Sequence, residues 1–205
     1  MRIIYLINAL TYGGAQFLLL DLCRHFSGLG GKVIVAAFRD GEVGETLRKE
    51  GFDVRILTET ALDIVGFSKL CSLISAFKPD ILHTHLFRAT FWGRLAAKFY
   101  GKAKIVTSVH GTESENFYRL ERRMASFSNL IIFPSLALSE WYIKTIRPIP
   151  SYRYHVLPPG TMVEELSQVP SISRKPKIGT LSRLHPVKGL DVLIKACFNL
   201  FKSGF

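Results

Sequence analysis

The sequence predicts an α/β fold in which a parallel β-sheet is covered by helices on both faces, the doubly wound arrangement. One observation is that short, β-branched apolar runs alternate along the chain with longer segments of helical periodicity. A second is that these runs are nearly continuous in their apolar residues, as in strands buried on both faces. Together the two observations indicate parallel strands joined by crossover helices.

Seven of the predicted strands come before residue 160. Most of the segments between them are long enough for a crossover helix, which parallel strands require. In chain order the strands are residues 3–7, 32–38, 53–57, 80–83, 104–109, 130–133 and 154–157.

The pattern changes after residue 158, where the chain becomes rich in Pro, Ser and basic residues, a composition typical of a linker. An eighth strand is predicted over residues 178–184, followed by a basic loop and a helix. One strand and one helix cannot bury both of their faces. We therefore expect a first domain over residues 1–170 and an incomplete second domain over residues 171–205.

Length and composition limit the kind of protein this can be. The chain has 205 residues, 48% hydrophobic and 21% charged, enough for one substantial core but not for two full domains. No apolar run approaches the roughly 18 to 20 residues of a membrane-spanning helix, and Arg2 leads directly into the first strand without a signal peptide. The three cysteines, Cys23, Cys71 and Cys197, are widely separated, which favours buried thiols in a reducing compartment. These features predict a soluble, cytoplasmic protein.

The formal net charge is +11, from 27 Lys and Arg against 16 Asp and Glu, which indicates anionic partners. Nucleotides, sugar phosphates and acidic membrane surfaces fit this charge, whereas no groove-reading motif supports nucleic acid. A helix over residues 115–127 places Arg119, Arg122 and Arg123 opposite its apolar stripe, which predicts a solvated basic face. Residues 88–104 combine cations with aromatic rings, and we hypothesise that they rest on the anionic inner face of a membrane. The residues concerned are Arg88, Phe91, Trp92, Arg94, Lys98, Phe99, Lys102 and Lys104.

Glycine and polar residues follow three of the predicted strands, at the carboxyl ends where doubly wound sheets bind their ligands. Because these ends meet at one edge of the sheet, we expect the residues to converge on one crevice. They are Gly13, Gly14 and Gln16 after the first strand, His83 and His85 at the end of the fourth, and His110 after the fifth.

Each of these candidates also has a structural interpretation. Gly13 and Gly14 could form a plain turn as readily as a ligand loop, since they match neither the Gly-x-Gly-x-x-Gly dinucleotide fingerprint nor a P-loop. His83 and His85 point to the same side of the sheet, but no Cys or acidic cluster is spaced to complete a metal site. We therefore expect no metal there, and a structural or crevice-wall role for both. For His110, structural and functional roles are equally open.

Arg183 and Lys188 flank a turn that opens the last predicted helix. Two cations beside the free backbone N–H groups of a helix N-terminus can hold a diphosphate. They could also neutralise charge on the diphosphate as it departs, a task otherwise given to a metal ion. Two solvated basic residues are the alternative interpretation.

The chain carries Gly-Gly-Ala-Gln at residues 13–16, Pro-Asp-Ile-Leu-His-Thr-His at 79–85, Thr-Ser-Val-His-Gly at 107–111 and Gly-Thr-Leu-Ser-Arg-Leu at 179–184, which runs into Lys-Gly at 188–189. In this order and spacing, the segments resemble the GT-B glycosyltransferases of family 4. The resemblance implies two Rossmann-like domains facing each other across a cleft, the first for the acceptor and the second, incomplete here, for a nucleotide-sugar. It also implies transfer that retains the anomeric configuration and needs no metal or other cofactor.

The resemblance further implies a role for each candidate residue. Gly13 and Gly14 would lie near the donor phosphates, and His110 would be the catalytic residue beside the transferred sugar. Arg183 and Lys188 would hold the donor diphosphate and stabilise it as the leaving group. The remaining candidates, expected to bind the acceptor or line the cleft wall, are Gln16, His83 and His85.

Two departures from the family pattern matter. The Asn-Gly-acidic turn that usually follows the late strand of the first domain is replaced by Pro-Pro-Gly-Thr at residues 158–161. The Glu-x7-Glu segment of the second domain, which in the family holds the ribose and sugar hydroxyls of the donor, has no counterpart among residues 189–205, where the sequence ends. We therefore expect this chain by itself to transfer sugar negligibly.

The leading hypothesis is a hexosyltransferase-type glycosyltransferase of cell-surface polysaccharide or glycolipid assembly, with a nucleotide-sugar donor and a glycan or lipid-linked acceptor. A second hypothesis is a non-catalytic subunit that binds the acceptor and relies on a partner chain for the donor site. A polypeptide carrying the Glu-x7-Glu element, fused or separate, would distinguish the two. A nicotinamide-dependent oxidoreductase is disfavoured, because the dinucleotide fingerprint is absent and Arg39, not an acidic residue, follows the second strand.

Overall fold

The computed structural model describes residues 1–58, 63–112, 115–160, 177–182, 184 and 186–203. The chain forms two compact units, Met1–Met162 and Val163–Phe205. The domain boundary predicted at residue 170 falls within residues 161–176, outside the described residues, and stays a prediction.

The first unit is built on a seven-stranded sheet in which every neighbouring pair of strands is parallel. All seven strands predicted before residue 160 are present, with ends within two residues of the predicted positions. The strands are β1 (Arg2–Ala9), β2 (Lys32–Arg39), β3 (Asp53–Ile56), β4 (Ile81–His85), β5 (Lys104–Ser108), β6 (Leu130–Phe133) and β7 (Tyr154–Val156). Their order across the sheet is β3-β2-β1-β4-β5-β6-β7, which confirms the predicted doubly wound α/β fold.

Six helices accompany this sheet: α1 (Gly14–Gly28), α2 (Glu42–Lys49), α3 (Asp63–Phe77), α4 (Phe87–Tyr100), α5 (Glu115–Met124) and α6 (Leu136–Thr145). The sequence predicted one helix over residues 115–127, whereas α5 ends at Met124 and Ala125–Phe127 form a 3₁₀ turn. The backbone therefore changes from an α-helix to the narrower 3₁₀ conformation just before β6. The Asn129 side chain holds this turn against the sheet, because its Oδ1 accepts a hydrogen bond from Ile105 N at 2.8 Å.

Successive residues of the central strand β1 supply the two cores, because side chains alternate between the faces of a strand. Ile3, Tyr5 and Ile7 pack on one face against buried residues of α1 and α2. Ile4 and Leu6 pack on the other face against α3 and α4. A third apolar cluster lies beneath α6 and contains Ala125, Ile131, Phe133, Tyr142 and Ile146. The sheet is therefore covered on both faces, as its continuous apolar strands predicted.

The strand order changes direction between β1 and β4. From β1 it proceeds to β2 and β3 on one side, and from β4 to β5, β6 and β7 on the other. The loops that leave the carboxyl ends of β1 and β4 therefore diverge and leave a crevice between them. The register pairs Ile7 with His85 and His85 with Ser108, so the ends of three strands meet there.

The second unit contains a 3₁₀ turn, Pro186–Lys188, and α7 (Leu190–Lys202). The predicted helix is confirmed, but the eighth strand predicted over residues 178–184 is not, because the described residues 177–182 adopt no strand conformation. A strand needs a neighbouring strand to pair its backbone groups, and the described part of this unit supplies none. No residue of α7 is buried, as expected of a helix without a complete core.

The structure corrects the prediction that residues 88–104 present one basic and aromatic surface. Arg94 is completely buried, because the helical period places it with Thr90 and Ala97 on the stripe of α4 that faces the sheet. Lys98, Phe99, Lys102 and Lys104 are exposed as predicted.

The basic face of α5 is exposed at Arg119, Arg122 and Arg123, as predicted, and Arg122 also makes hydrogen bonds to the end of α6. Arg122 donates hydrogen bonds to Ile146 O at 2.7 Å and to Thr145 O at 2.9 Å. Its guanidinium thereby caps the carbonyl groups at the end of α6, where a helix dipole favours a cation.

Within the described ranges, no helix combines the length and the apolar character needed to cross a membrane. Cys23, Cys71 and Cys197 are free thiols, and the first two are buried as predicted. Burial raises the pKa of Cys23 to about 12, which keeps this thiol protonated and unreactive near neutral pH.

Candidate active site at the carboxyl edge of the sheet

The loop after β1 is shaped by two glycines and one buried glutamine. Gln16 lies beneath the loop, where its Nε2 donates to Ala9 O at 3.0 Å. A Cβ on Gly13 would lie 2.5 Å from Gln16 Oε1, so a larger residue here would require the Gln16 amide to move. A Cβ on Gly14 would meet no atom within 4 Å, and Gly13 supplies no side-chain cap to α1. The first turn of α1 is therefore accessible to an anionic ligand.

His83 and His85 lie on the same side of β4, as their spacing predicted, and their ring centroids are 4.3 Å apart. Both are buried, and Tyr5 packs beside them with ring centroids 5.4 and 6.1 Å away. His83 Nε2 shares a hydrogen bond of 2.8 Å with Ser108 Oγ on β5. These two histidines are therefore part of the packed face of the sheet.

His110 is the outermost ring of this row. It lies two residues beyond the end of β5, is partly exposed, and stacks on His85 with ring centroids 5.2 Å apart. Its Nε2 shares a hydrogen bond of 3.0 Å with His85 Nδ1. A continuous row of rings thus runs from the buried face of β4 to the edge of the crevice.

Burial keeps all three imidazoles neutral near pH 7. Desolvation is the largest cause in each case and lowers the pKa of His83 to about 3, with His110 adding a smaller effect. The pKa of His85 lies well below its ordinary value, and that of His110 is lowered as well. A neutral imidazole has one N–H and one lone pair, so His110 can donate or accept one hydrogen bond besides the bond it shares with His85.

The turn between β4 and α4 connects this row to β1. Asn8 Oδ1, on β1, accepts a hydrogen bond of 2.7 Å from Ala89 N and so satisfies an N–H of the first turn of α4. Leu86, directly after His85, has φ 69° and ψ 156°, a backbone conformation that costs a residue with a side chain about 1 to 3 kcal/mol. Such strain persists where surrounding contacts enforce it, often at functional sites.

A second polar network lies on the opposite face of the sheet. Arg94 Nε donates to Ser128 Oγ at 2.9 Å, and Arg94 Nη1 donates to Glu121 Oε2 at 2.7 Å. Tyr142 O–H donates to Glu121 Oε1. Ser128 Oγ shares a hydrogen bond of 2.8 Å with Thr107 Oγ1 on β5. The carboxylate of Glu121 is thereby held between α4, α5 and α6.

Sequence reasoning missed Glu121 and Tyr142. The available signal was the position of Glu121, which shares the apolar stripe of α5 with Phe117, Leu120 and Met124 at helical spacing. An acidic residue on an otherwise apolar stripe indicates a buried carboxylate with a polar partner. The cation beside it, Arg94, comes from a different helix and is not identifiable from local pattern.

A pocket opens where β5 ends, between the first turn of α4 and the helices α5 and α6. Its polar lining consists of Thr90, Thr107, Ser108, His110 and Glu121. Its aromatic lining consists of Phe87, Phe117, Tyr118, Trp141 and Tyr142. The pocket lies between the row of three histidines and the polar network around Arg94, because His110 belongs to the row and Glu121 to the network.

The family model described as Glycosyltransferase Family 4 matches residues 12–165, three quarters of the sequence. The chain belongs to this family. The match spans Gly13, Gly14, the three histidines and the residues that line the pocket. Comparison with curated proteins gave no match.

Solved structures share the fold of this family-4 chain. HepE from Anabaena in complex with UDP-glucose has a TM-score of 0.68 and 21% identity over 78% of this chain and 44% of that protein. A glycosyltransferase from Rickettsia africae has a TM-score of 0.62 and 16% identity over 76% and 42%, respectively. MurG from Acinetobacter baumannii has a TM-score of 0.56 and 13% identity over 80% and 47%. This chain thus spans less than half the length of each, and the shared fold confirms the predicted GT-B amino-terminal domain.

The two basic residues predicted to bind the donor lie in the second unit of the family-4 chain. Lys188 is exposed and ends the 3₁₀ turn that precedes α7, and Gly189, with φ 61°, joins the turn to the helix. Arg183 lies outside the described residues. Among the residues described, no group of three or more His, Cys, Asp or Glu is arranged to hold a metal ion. The roles predicted for these residues, and the expectation of metal-free transfer, stay predictions.

Proposed function

We propose that this chain is the acceptor-side part of a glycosyltransferase that moves a sugar from a nucleotide-sugar to a glycan or lipid-linked acceptor, with retention of configuration. One observation carries the proposal. The Gly13–Gly14 loop, His85 and His110 meet at the carboxyl ends of the strands, where the strand order changes direction. HepE, which shares the fold, was crystallised with UDP-glucose, and this supports a nucleotide-sugar donor. A role in cell-surface polysaccharide or glycolipid synthesis is part of the proposal.

The transfer breaks the bond between the anomeric carbon and the diphosphate and forms a bond to the acceptor oxygen, whose proton passes to an oxygen of the departing diphosphate. Negative charge grows on the departing diphosphate. Arg183 and Lys188 are the residues that we assign to stabilise it. His110 is neutral, so we assign it a hydrogen bond to the transferred sugar rather than charge stabilisation.

We further propose that the protein works at the cytoplasmic face of a membrane. Lys98, Lys102 and Lys104 are exposed beside Phe99 and Tyr100, which are 67% and 54% exposed. Exposed cations next to exposed rings suit an anionic lipid surface. Vesicle sedimentation should show stronger binding to anionic than to neutral lipids, and equal binding to both would refute this part of the proposal.

The test of the catalytic proposal uses the protein as its own cell produces it. Its intact mass is compared with the 23.1 kDa of this chain, and the purified protein is assayed for nucleotide release from a panel of nucleotide-sugars. We expect His110→Ala to lower turnover roughly tenfold, the loss expected for one neutral hydrogen bond to the substrate. His155→Ala, at an exposed position on β7, is the matched control and should retain turnover. Unchanged turnover in His110→Ala would remove this residue from the mechanism.

We expect the 205-residue chain by itself to show negligible turnover, because residues 189–205 contain no Glu-x7-Glu segment to hold the donor. Measurable transfer by the purified chain with any nucleotide-sugar would contradict this expectation. A protein of 23.1 kDa in its own cell would instead favour the non-catalytic subunit, and the partner that supplies the donor site would then be sought by co-purification.

A further inference from the structure

The hydrogen bond between His85 and His110 can run in either of two directions. It joins His85 Nδ1 to His110 Nε2 across 3.0 Å. Both rings are neutral near pH 7, because burial lowers the pKa of each. A neutral imidazole has one proton on one of its two nitrogens, so one facing nitrogen donates and the other accepts. The direction of the bond therefore also determines which nitrogen of each ring carries the proton.

The second nitrogen of His85 distinguishes the two directions. His85 is completely buried, and among the residues that the structure describes no group forms a hydrogen bond with its Nε2. If His110 were the donor, the proton of His85 would lie on this Nε2 and would be a buried N–H without an acceptor. Proteins very rarely bury such a donor, whereas an unsatisfied acceptor is found somewhat more often. This favours a lone pair on His85 Nε2 and the proton on His85 Nδ1.

We propose that His85 is a positioning residue whose Nδ1–H donates to His110 Nε2 and thereby places the proton of His110 on Nδ1. The hydrogen bond that one ring nitrogen makes determines which nitrogen carries the proton, so His85 acts through His110. His85 has no exposed surface with which to contact a ligand itself. The neighbouring ring of His83 does not share this role, because its Nε2 is bonded to Ser108 Oγ instead.

The proton position defines what His110 offers to a ligand. Its Nε2 lone pair is occupied by His85 and its Nδ1 carries a proton, so the ring presents a donor and no acceptor. His110 is partly exposed and lines the pocket at the end of β5. It therefore binds an oxygen lone pair and does not take up the proton of an acceptor hydroxyl. That this oxygen belongs to the transferred sugar rests on the proposed function.

Proton–nitrogen correlation NMR of the 205-residue chain measures the proton positions without donor, acceptor or turnover. Near neutral pH, long-range spectra distinguish a protonated ring nitrogen from an unprotonated one at each of the six histidines. We expect a proton on Nδ1 of both His85 and His110, and a nitrogen–nitrogen coupling across the bond from His85 Nδ1 to His110 Nε2. A proton on His110 Nε2 in this chain would overturn the proposal.

Two matched variants test whether His85 is the cause. His85→Leu removes the donor, so His110 should shift to the Nε2–H form that a neutral imidazole without a partner prefers in water. His83→Leu removes the adjacent buried ring but not the bond, and should leave the proton of His110 on Nδ1. Retention of the Nδ1–H form in His85→Leu, or its loss in both variants, would refute the positioning role. Backbone amide spectra of the same samples report whether each variant is folded, and the original chain alone decides the proton position if one is not.

Turnover of the protein as its own cell produces it gives a second measurement. His85→Leu should lower kcat by no more than His110→Ala does, roughly tenfold. It should cause no further loss in a protein that already carries His110→Ala, because residues that act through one hydrogen bond are not additive. Losses that multiply would show that His85 acts independently of His110 and would overturn the proposal.

The two measurements separate this inference from the proposed function. A protein without sugar transfer would refute the proposed function and leave the proton positions measured by NMR intact. An active protein in which His110 carries its proton on Nε2 would refute the role of His85 alone.

Discussion

His85 Nδ1 lies 3.0 Å from His110 Nε2, so that a buried ring at the end of β4 and a partly exposed ring beyond β5 share one hydrogen bond. The bond can form only while at least one of the two rings is neutral, since two imidazolium ions have no acceptor nitrogen. Burial lowers the pKa of both rings and keeps the bond intact at neutral pH.

The first prediction concerns stability against acid. His83 has its pKa lowered to about 3 in the folded chain, so below the unfolded value of about 6.5 the unfolded chain takes up a proton that the folded chain does not. Above the pKa of His83 in the unfolded chain, this residue does not change the free energy of unfolding. Its destabilising effect grows as the pH falls toward the pKa in the folded chain. Between pH 7 and pH 5 we expect His83 alone to lower the free energy of unfolding by about 2 kcal/mol.

Urea denaturation at a series of pH values measures this effect. In His83→Gln the loss of stability between pH 7 and pH 5 should be smaller than in the original chain by about 2 kcal/mol. His85 adds to the loss in both proteins, because its pKa is also lowered. An identical pH dependence in the two proteins would show that His83 protonates as easily in the folded chain as in the unfolded one.

The second prediction contrasts a buried ion pair with an exposed one. Arg94→Met leaves the Glu121 carboxylate, whose side chain is only 12% exposed, without its cation, and should lower the free energy of unfolding by about 3 to 5 kcal/mol. Arg24→Met breaks the exposed pair with Glu50, at 2.6 Å, and should cost at most about 1 kcal/mol. Thermal and chemical denaturation of the two variants compare them directly.

A double variant separates the lost charge from lost packing. Arg94→Met combined with Glu121→Leu leaves no unpaired charge, so we expect it to recover most of the stability lost in Arg94→Met. A double variant as unstable as Arg94→Met would mean that the packing of the guanidinium, not the pairing of charges, stabilises this region.

A third prediction concerns the residue after α3. Lys78 has φ 50°, a left-handed conformation in which a side chain costs roughly 1 to 2 kcal/mol and glycine does not. Lys78→Gly should therefore raise the free energy of unfolding by about 0.5 to 1 kcal/mol after the entropy of glycine is included. Lys78→Ala keeps the strain and should give no gain. A gain of equal size in both variants would exclude the backbone explanation.

The fourth prediction concerns the close approach of α4 to the sheet. A Cβ on Gly93 would lie 2.7 Å from Thr84 Cγ2 and 3.0 Å from a methyl group of Leu6, so Gly93→Ala should cost about 1 to 3 kcal/mol. Gly28→Ala, in the last turn of α1 where a Cβ meets nothing within 4 Å, should instead be neutral or slightly stabilising. Denaturation of both variants is the measurement, and equal costs would contradict the packing explanation.

The sequence by itself determined the seven strands, their parallel arrangement and the residues that follow their carboxyl ends. These features are local, because strand periodicity and glycine positions depend only on neighbouring residues, and short crossovers leave parallel strands few arrangements. His83 and His85 were therefore placed on one side of β4 correctly. The eighth strand was predicted wrongly for the opposite reason, since its formation requires a pairing partner that no local pattern reports.

Only the tertiary structure decided which charged and polar groups became internal. Arg94 looked like one cation of a basic surface, but the packing of α4 on the sheet buried it beside Ser128 and Glu121 from separate segments. The hydrogen bond between His85 and His110, and the pocket shared by α4, α5 and α6, likewise depend on the register of β4 against β5 and on helix packing. A buried charge is stabilised by hydrogen-bonding and charged partners that are distant in sequence, so no single segment of the sequence predicts which charged residues are buried.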